Sequence, residues 1–329
     1  MTVRLAQVGC GYWGKNLARN FAQLGALHAV VDDNPATSAA MAAEHGALAM
    51  TFGSVLEDPN IQAVSLATPA PQHAQMALAA LNAGKHVFVE KPLALEVEEA
   101  RQLVDAAQRT GQILMVGHLL QYHPIFIALC EIVKKGELGN LRHIYSNRLS
   151  FGKIRVEENV LWSFAPHDVS MVLALAGEMP HDVKAEGSSF VTQNVADNAI
   201  CHLHFPSGIT AHINVSWMHP FKEHRLVVVG DKAMAAFEDS QPDWSKRLAI
   251  YRNHVDHAGA FPLAVKGPVE FVEVASAEPL KEECGHFLDC IQTGNAPRTD
   301  GAEGLRVLDV LRQAEDCLVR SLDQAGKLA

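Results

Sequence analysis

Three glycines in Gly9-Cys10-Gly11-Tyr12-Trp13-Gly14 follow an apolar run at 3–8 and precede an apolar stripe of Leu17, Phe21 and Leu24 at helical spacing. In a strand–turn–helix setting such glycines permit a tight turn and let a pyrophosphate reach backbone N–H groups at the helix N-terminus. Tyr12 and Trp13 belong to the same candidate cofactor loop. Asp32 ends a second apolar run 18 residues after Gly14, where an acid is expected to accept hydrogen bonds from the adenosine ribose. Asp33 follows it, so a 2′-phosphate would meet two negative charges and no cation, and the pair predicts NAD over NADP. Outside that setting the same glycines would only shape a turn and the aspartates only cap a helix.

A second candidate is Lys91, in Glu90-Lys91-Pro92 at the end of the fourth apolar run, where by position alone a plain surface lysine is the more common reading. Taking hydride from an alcohol leaves a carbonyl and a proton, and a partly desolvated lysine can have its pKa lowered far enough to handle that proton. A zinc dehydrogenase needs clustered thiolates and imidazoles, yet neither C-x-x-C nor H-E-x-x-H occurs, so no metal is expected. Cys201, His202 and His204 lie on an alternating strand, where chance explains them among 17 histidines. None of the four tyrosines begins a Y-x-x-x-K pair.

These residues need elements to hold them. Apolar runs at 3–8, 27–31, 63–67, 86–89 and 113–116 read as buried parallel strands, separated by helical patterns that close at Gly25, Gly84 and Gly111. That is an α/β, doubly wound Rossmann sheet, assigned to residues 1–122. After Pro124 the texture changes to alternating segments at 143–149, 183–190, 199–205, 209–217 and 225–229, with helices at 162–176 and 280–293. Residues 123–329 are therefore expected to form an α+β substrate and oligomerisation domain with a large, mostly antiparallel sheet. The stretch 253–267 is the least regular and reads as a surface loop.

The bulk numbers exclude other classes. With 27 basic and 37 acidic residues the formal charge is -10, with no basic block, so nucleic acid is not expected as a partner. Six scattered cysteines and an opening Met-Thr-Val-Arg suit a reducing cytoplasm. No apolar stretch approaches the roughly 18 residues that span a bilayer, so no membrane is expected either. The strands at 199–205 and 209–217 are apolar on both faces. Covering both requires a partner, and a homodimer or homotetramer through this sheet is expected.

In order along the chain, the glycine loop, Ala67-Thr68-Pro69, His73, Glu90-Lys91-Pro92, GHLLQYHP at 117–124, Gly136-Glu137-Leu138-Gly139 and PRTDGAEG at 297–304 make a pattern. It resembles the glucose-fructose oxidoreductase, inositol dehydrogenase and MocA family over nearly the whole chain. The resemblance implies that Thr68, Pro69, His73 and Glu90 line the cofactor, and that Lys91 lies between nicotinamide and substrate. It implies a second catalytic element, D-x-x-x-H, at Ser163 to His167. The histidine is present, but serine replaces the aspartate, which shifts the proton chemistry onto His167 with Lys91. The alternative for His167 is a satisfied core histidine.

Gln121 stands where relatives often carry arginine in G-x-x-x-R-Y-x-P, which implies a cofactor contact through a neutral amide. Trp162 either walls the nicotinamide or packs in the core. Tyr122, His123, Asn147 and Arg148 are expected near the substrate, with Arg148 either holding an anionic group of it or pairing on the surface with Glu157 or Glu158.

Within the family the stretches around GHLLQYHP, Asn147-Arg148-Leu149 and LWSFAPHD are most similar to members acting on nucleotide-activated amino sugars. The expected reaction is oxidation of the C3 hydroxyl of UDP-N-acetylglucosamine to a 3-keto sugar for lipid A assembly. UDP-N-acetylglucosaminuronate or an inositol are the alternative substrates, and a non-catalytic NAD-binding sensor is the alternative of another class.

Overall fold

The computed structural model describes residues 3–326. It divides into two compact units, Met1–Tyr122 with Ala277–Leu308, and His123–Ser276 with Asp309–Ala329. The first unit begins β1 (Leu5–Val8), α1 (Tyr12–Gln23), β2 (Leu27–Val31), α2 (Pro35–His45), β3 (Leu48–Ala49), α3 (Phe52–Glu57) and β4 (Ala63–Leu66). It continues with α4 (His73–Asn82), β5 (His86–Glu90), α5 (Val97–Thr110) and β6 (Leu114–Gly117). The six strands form one sheet in the order β3-β2-β1-β4-β5-β6, and every pairing is parallel. This is the doubly wound order, in which a dinucleotide lies across the carboxyl ends of the strands where the winding reverses, between β1 and β4. β1, β4 and β6 are buried along their whole length, which is why they read as unbroken apolar runs.

The second unit holds α6 (Pro124–Lys134), β7 (Leu141–Phe151), α7 (Val160–Ala176), β8 (Asp182–Ser188), β9 (Asn198–His204), β10 (Thr210–Ser216) and β11 (Met218–Gly230). It goes on through β12 (Met234–Glu238), β13 (Leu248–Tyr251), β14 (His254–Asp256), β15 (Leu263–Val265) and β16 (Val269–Phe271). Eight strands form a sheet in the order β16-β13-β12-β11-β7-β10-β9-β8, antiparallel throughout except for β7 with β10. The stretch expected as a surface loop carries the small exposed hairpin β14–β15. No helix among the described residues is long and apolar enough to cross a membrane.

Two helices complete the chain, α8 (Pro279–Thr293) and α9 (Gly301–Gly326). The division at residue 122 placed α8 in the second domain, and the structure corrects this. Leu280, Cys284, Phe287 and Leu288 of α8 join Leu17, Phe21, Phe88 and Tyr122 in the core of the first unit. Phe88 meets Phe21 and Phe287 edge-on, at centroid distances of 6.3 and 5.8 Å. A helix with one apolar stripe goes where that stripe can be buried, whatever its distance in sequence.

In the second unit α7 is fastened to the sheet by charge. Asp168 is 1% exposed. It accepts from Arg148 Nε at 2.6 Å and from Ser146 Oγ at 2.6 Å, both on β7. Asn159 caps the helix through Leu161 and Trp162 N–H, and Gly177 ends it in the left-handed region. Removing one partner of a buried ion pair strands the other charge, so Asp168→Ala should lower unfolding free energy by about 3–5 kcal/mol. Urea unfolding followed by circular dichroism checks this, and a loss below about 1 kcal/mol would mean that the pair is solvated.

Candidate active site

The glycine loop behaves as its spacing requires. Gly9 has φ +83, and a Cβ there would lie 2.6 Å from the Ala67 carbonyl oxygen. A Cβ on Gly14 would lie 1.9 Å from the Gly9 carbonyl oxygen, so helix and loop touch only because both residues lack side chains. A Cβ added at Gly11 would meet nothing within 4 Å, so the space beside it is open to an incoming ligand. As N-cap of α1 it provides no side-chain cap, and the first turn carries no acid, so the helix N-terminus keeps its positive end for an anion. Tyr12, 86% exposed, stacks on Trp13.

At the end of β2, Asp32 Oδ2 accepts from Cys10 N at 2.8 Å and Oδ1 from Asn34 N at 2.9 Å, with the side chain still partly exposed. It thereby ties the glycine loop to the β2 end while keeping acceptor capacity for a diol. Asp33 beside it is exposed, and Asn34 caps α2. Burial and the neighbouring Asp32 carboxylate push the Cys10 thiol up to about 11, so it stays neutral.

Across the sheet, the loops after β4 and β5 are joined by His73. Its Nδ1 lies 2.7 Å from the Pro92 carbonyl and its Nε2 2.8 Å from the Thr68 carbonyl. Burial drives its pKa down. The Thr68 hydroxyl is buried with no hydrogen-bond partner among the described residues, and Pro69 beside it is exposed. An open backbone at Gly11, an uncapped helix end, an acid at β2 and an orphaned hydroxyl after β4 together fit a dinucleotide laid across the sheet. Lys91 is half-buried at the end of β5. Burial pushes the Glu90 carboxyl beside it far up, against the opposing influence of Lys91 and a hydrogen bond from Trp13.

Other expectations need correction. Tyr122 does not face a substrate: it is 3% exposed, and its hydroxyl is 2.9 Å from Thr299 Oγ1 in the first unit's core. Gln121 is buried, and its backbone carbonyl accepts from Arg298 Nη1 at 3.0 Å. His123 is buried too, capping α6 through Ile125 N–H, with Nε2 3.5 Å from Asp239 and its ring stacked on Trp244. Arg148 pairs with Asp168 in the interior and not with Glu157 or Glu158, and Arg155 takes Glu158. Asn147, the next residue, projects from the opposite face of β7 and donates to Glu223 at 2.8 Å. Strand alternation forbids both from facing one ligand. Trp162 is tied to α9, donating from Nε1 to Glu315 at 3.1 Å under the Arg312 guanidinium.

Ser163 and His167 lie one turn apart on α7, the serine buried and the histidine half-buried, with Pro166 between them. The same helix carries Asp168, so the β7 ion pair sets the position of the His167 turn. Beside it, Arg148 Nη1 is 3.3 Å from His224 Nδ1. Burial opposes ionisation of Asp239, but His123 Nε2 at 3.5 Å, His224 Nδ1 at 3.8 Å and Arg247 Nη1 at 3.1 Å surround its carboxyl and hold it well below the usual range. Sequence reasoning missed Asp168, His224, Asp239 and Glu283. Only Glu283 had a visible signal, an acid at helical spacing within the stripe of Leu280, Cys284 and Phe287.

Residues 3–118 match an oxidoreductase family with an NAD-binding Rossmann fold, and residues 126–236 match the GFO/IDH/MocA C-terminal domain. The chain belongs to this family of oxidoreductases, and its first unit is an NAD-binding domain. Among its relatives, UDP-N-acetylglucosamine 3-dehydrogenase of Acidithiobacillus ferrooxidans is 30% identical over 314 residues, 93% of this chain and 94% of that protein. A solved structure of that enzyme superposes with a TM-score of 0.87 over 98% of this chain and 99% of the other. Inositol 2-dehydrogenase of Rhizobium meliloti is 26% identical over 342 residues, covering 100% of this chain and 99% of the relative. The WlbA dehydrogenase of Bordetella pertussis, solved with NADH and UDP-GlcNAcA, shares the fold at 21% identity, with a TM-score of 0.78 over 99% and 98% of the two chains.

Asp32→Ala should weaken NADH binding roughly tenfold or more and narrow the preference over NADPH, since a charged acceptor is worth about 1.5–3 kcal/mol. Dissociation constants for both dinucleotides from cofactor fluorescence check this, and an unchanged ratio would show that another group reads the ribose.

Proposed function

We propose that this oxidoreductase removes hydride from a secondary hydroxyl of a sugar, and specifically from C3 of UDP-N-acetylglucosamine, with NAD as the acceptor. The observation that carries the reading is the likeness to UDP-N-acetylglucosamine 3-dehydrogenase, which runs through both units instead of stopping at the cofactor domain. The product is then a 3-keto nucleotide sugar, the electrophile that amination in lipid A assembly requires. Bound NAD supplies the hydride acceptor.

Lys91 binds the reacting hydroxyl and takes its proton, and His167 shares that proton as its partner base. Glu90 sits directly before Lys91 and adds a negative charge when ionised. Ser163 orients its surroundings and holds no proton near neutral pH. The Arg148–Asp168 pair supports the reaction indirectly by fixing the helix turn that carries His167. A second copy of the chain covers the face of the eight-stranded sheet opposite α7, where Tyr145 is 47% and Ile200 43% exposed, giving a dimer or a tetramer of dimers.

Purified protein with NAD and UDP-N-acetylglucosamine should form NADH and a ketone at C3, assigned by NMR of the product. Turnover of an inositol, but not of the nucleotide sugar, would overturn the substrate assignment. Lys91→Met should lower turnover by roughly 10² to 10⁴ while leaving the NAD dissociation constant within about tenfold. His167→Ala should lower turnover over the same range, and Ser163→Ala should cost about one hydrogen bond, on the order of 1 kcal/mol. Equal damage from the serine and histidine variants would route the proton through the hydroxyl. Light scattering should report at least a dimeric mass in the micromolar range, and a monomer would remove the proposed sheet contact.

A further inference from the structure

Glu283 is 1% exposed, and neither carboxylate oxygen has a hydrogen-bond partner among the described residues. A charged carboxylate stranded in this way is very costly, and even a neutral one is unfavourable. Its neighbour is Glu90, close enough for the two charges to repel, and Glu90 is itself buried at the end of β5. Gly117, paired with Glu90 across the sheet, lies so near that a Cβ there would be 3.1 Å from the Glu90 carboxyl group. Two buried acids that repel each other cannot both ionise, so the pair keeps at least one proton.

The surroundings limit what can compensate them. From α1, Trp13 donates a hydrogen bond to Glu90, while Arg19 is engaged with Glu278 at 2.5 Å. From the β5 loop, Lys91 adds a positive charge, and its backbone N–H lies 3.3 Å from Glu90 Oε2. From the turn after β6 comes neutral Tyr122, covered by Arg298, and from α8 comes Cys284, whose thiol burial and both glutamates keep neutral. Burial pushes Glu90 up to about 8 and Glu283 higher still than an ordinary carboxyl.

We propose that Glu90 and Glu283 form a one-proton reservoir under the nicotinamide half of the cofactor site, discharged when the oxidised ring brings its positive charge and refilled when hydride transfer removes that charge. The proposal rests on the NAD-dependent oxidation described above. In the doubly wound order a dinucleotide would bind outside the carboxyl ends of the strands; Asp32 follows β2, where it would hold the adenosine ribose, and Glu90 ends β5, on the other side of the switch point. An added cation there favours the carboxylate, and its loss favours the acid. The reaction balances: the pair releases one proton to solvent when NAD binds, the hydride goes from the alcohol carbon to NAD, and the hydroxyl proton, received through Lys91, restores the pair. The sum is alcohol plus NAD giving ketone, NADH and one proton.

The test is calorimetric titration of the full-length protein with NAD and with NADH, near pH 7, in buffers of different ionisation enthalpy. NAD binding should release up to about one proton per site more than NADH binding. In Glu90→Gln that difference should fall at least threefold, while Lys91→Met should keep it. Equal proton release with NAD and NADH in the wild type overturns the proposal without any variant having to fold. So does a difference that survives Glu90→Gln, and if that difference disappears in Lys91→Met the lysine is the titrating group. No substrate is present, so failure of the sugar assignment leaves this measurement unaffected, and failure here leaves the sugar assignment standing.

Discussion

Helix α1 begins just past the carboxyl end of the central strand β1 because two backbone segments touch there with no side chain between them. The carbonyl of Gly9 occupies the space that a Cβ on Gly14 would take, and Gly9 itself lies against the Ala67 carbonyl at a φ that L side chains rarely adopt. Gln7, buried in β1, donates from Nε2 to the same Gly9 carbonyl at 3.0 Å. This contact sets the height at which α1 lies on the sheet, and so where Leu17 and Phe21 enter the core. Phe88 and Phe287 close around Phe21, α8 follows, and the Arg19–Glu278 pair registers α8 along α1. The position of Glu283 relative to Glu90 is thus a consequence, several packing steps later, of a missing methyl group in the loop.

The two units use buried charge in opposite ways. Arg148 and Asp168 neutralise each other within the second unit, with Ser146 satisfying a further lone pair. Such a pair adds little net stability but punishes any alternative placement of α7, because separating the partners strands two charges. Glu90 and Glu283 in the first unit face one another as like charges, and a proton neutralises them instead of a counter-ion. The first arrangement holds geometry; the second responds to what binds. His73 shares this site character, since it links the loops after β4 and β5 through two carbonyls while burial keeps it from gaining charge.

Local chemistry in the sequence was enough to determine the class of the first unit. Its glycine spacing, the acid after β2 and the unbroken apolar runs each report a short-range constraint, and together they define a parallel sheet with a cofactor edge. The positions of Asp32 after β2 and of Lys91 after β5 were legible for the same reason, because a strand end is set by neighbours in the chain. The antiparallel second sheet was legible as alternation, although β12, β13 and β16 are too short to announce themselves and the parallel pairing of β7 with β10 has no sequence signature.

Tertiary structure alone decided the rest. Tyr122, His123 and Arg148 were expected near the substrate, and each became interior once a partner remote in sequence, Thr299, Asp239 or Asp168, supplied a hydrogen bond or an ion pair. Burial of a polar side chain depends on whether such a partner arrives, and no local pattern encodes that. The same holds for α8, whose 15 residues read correctly as a helix but whose allegiance to the first unit depends on an apolar stripe finding Phe21 and Phe88 more than 190 positions away. Sequence sets what each segment can be, because backbone preference and periodicity are local. Which acids meet without a cation, and which cations are consumed in the core, is set only when the segments close on one another.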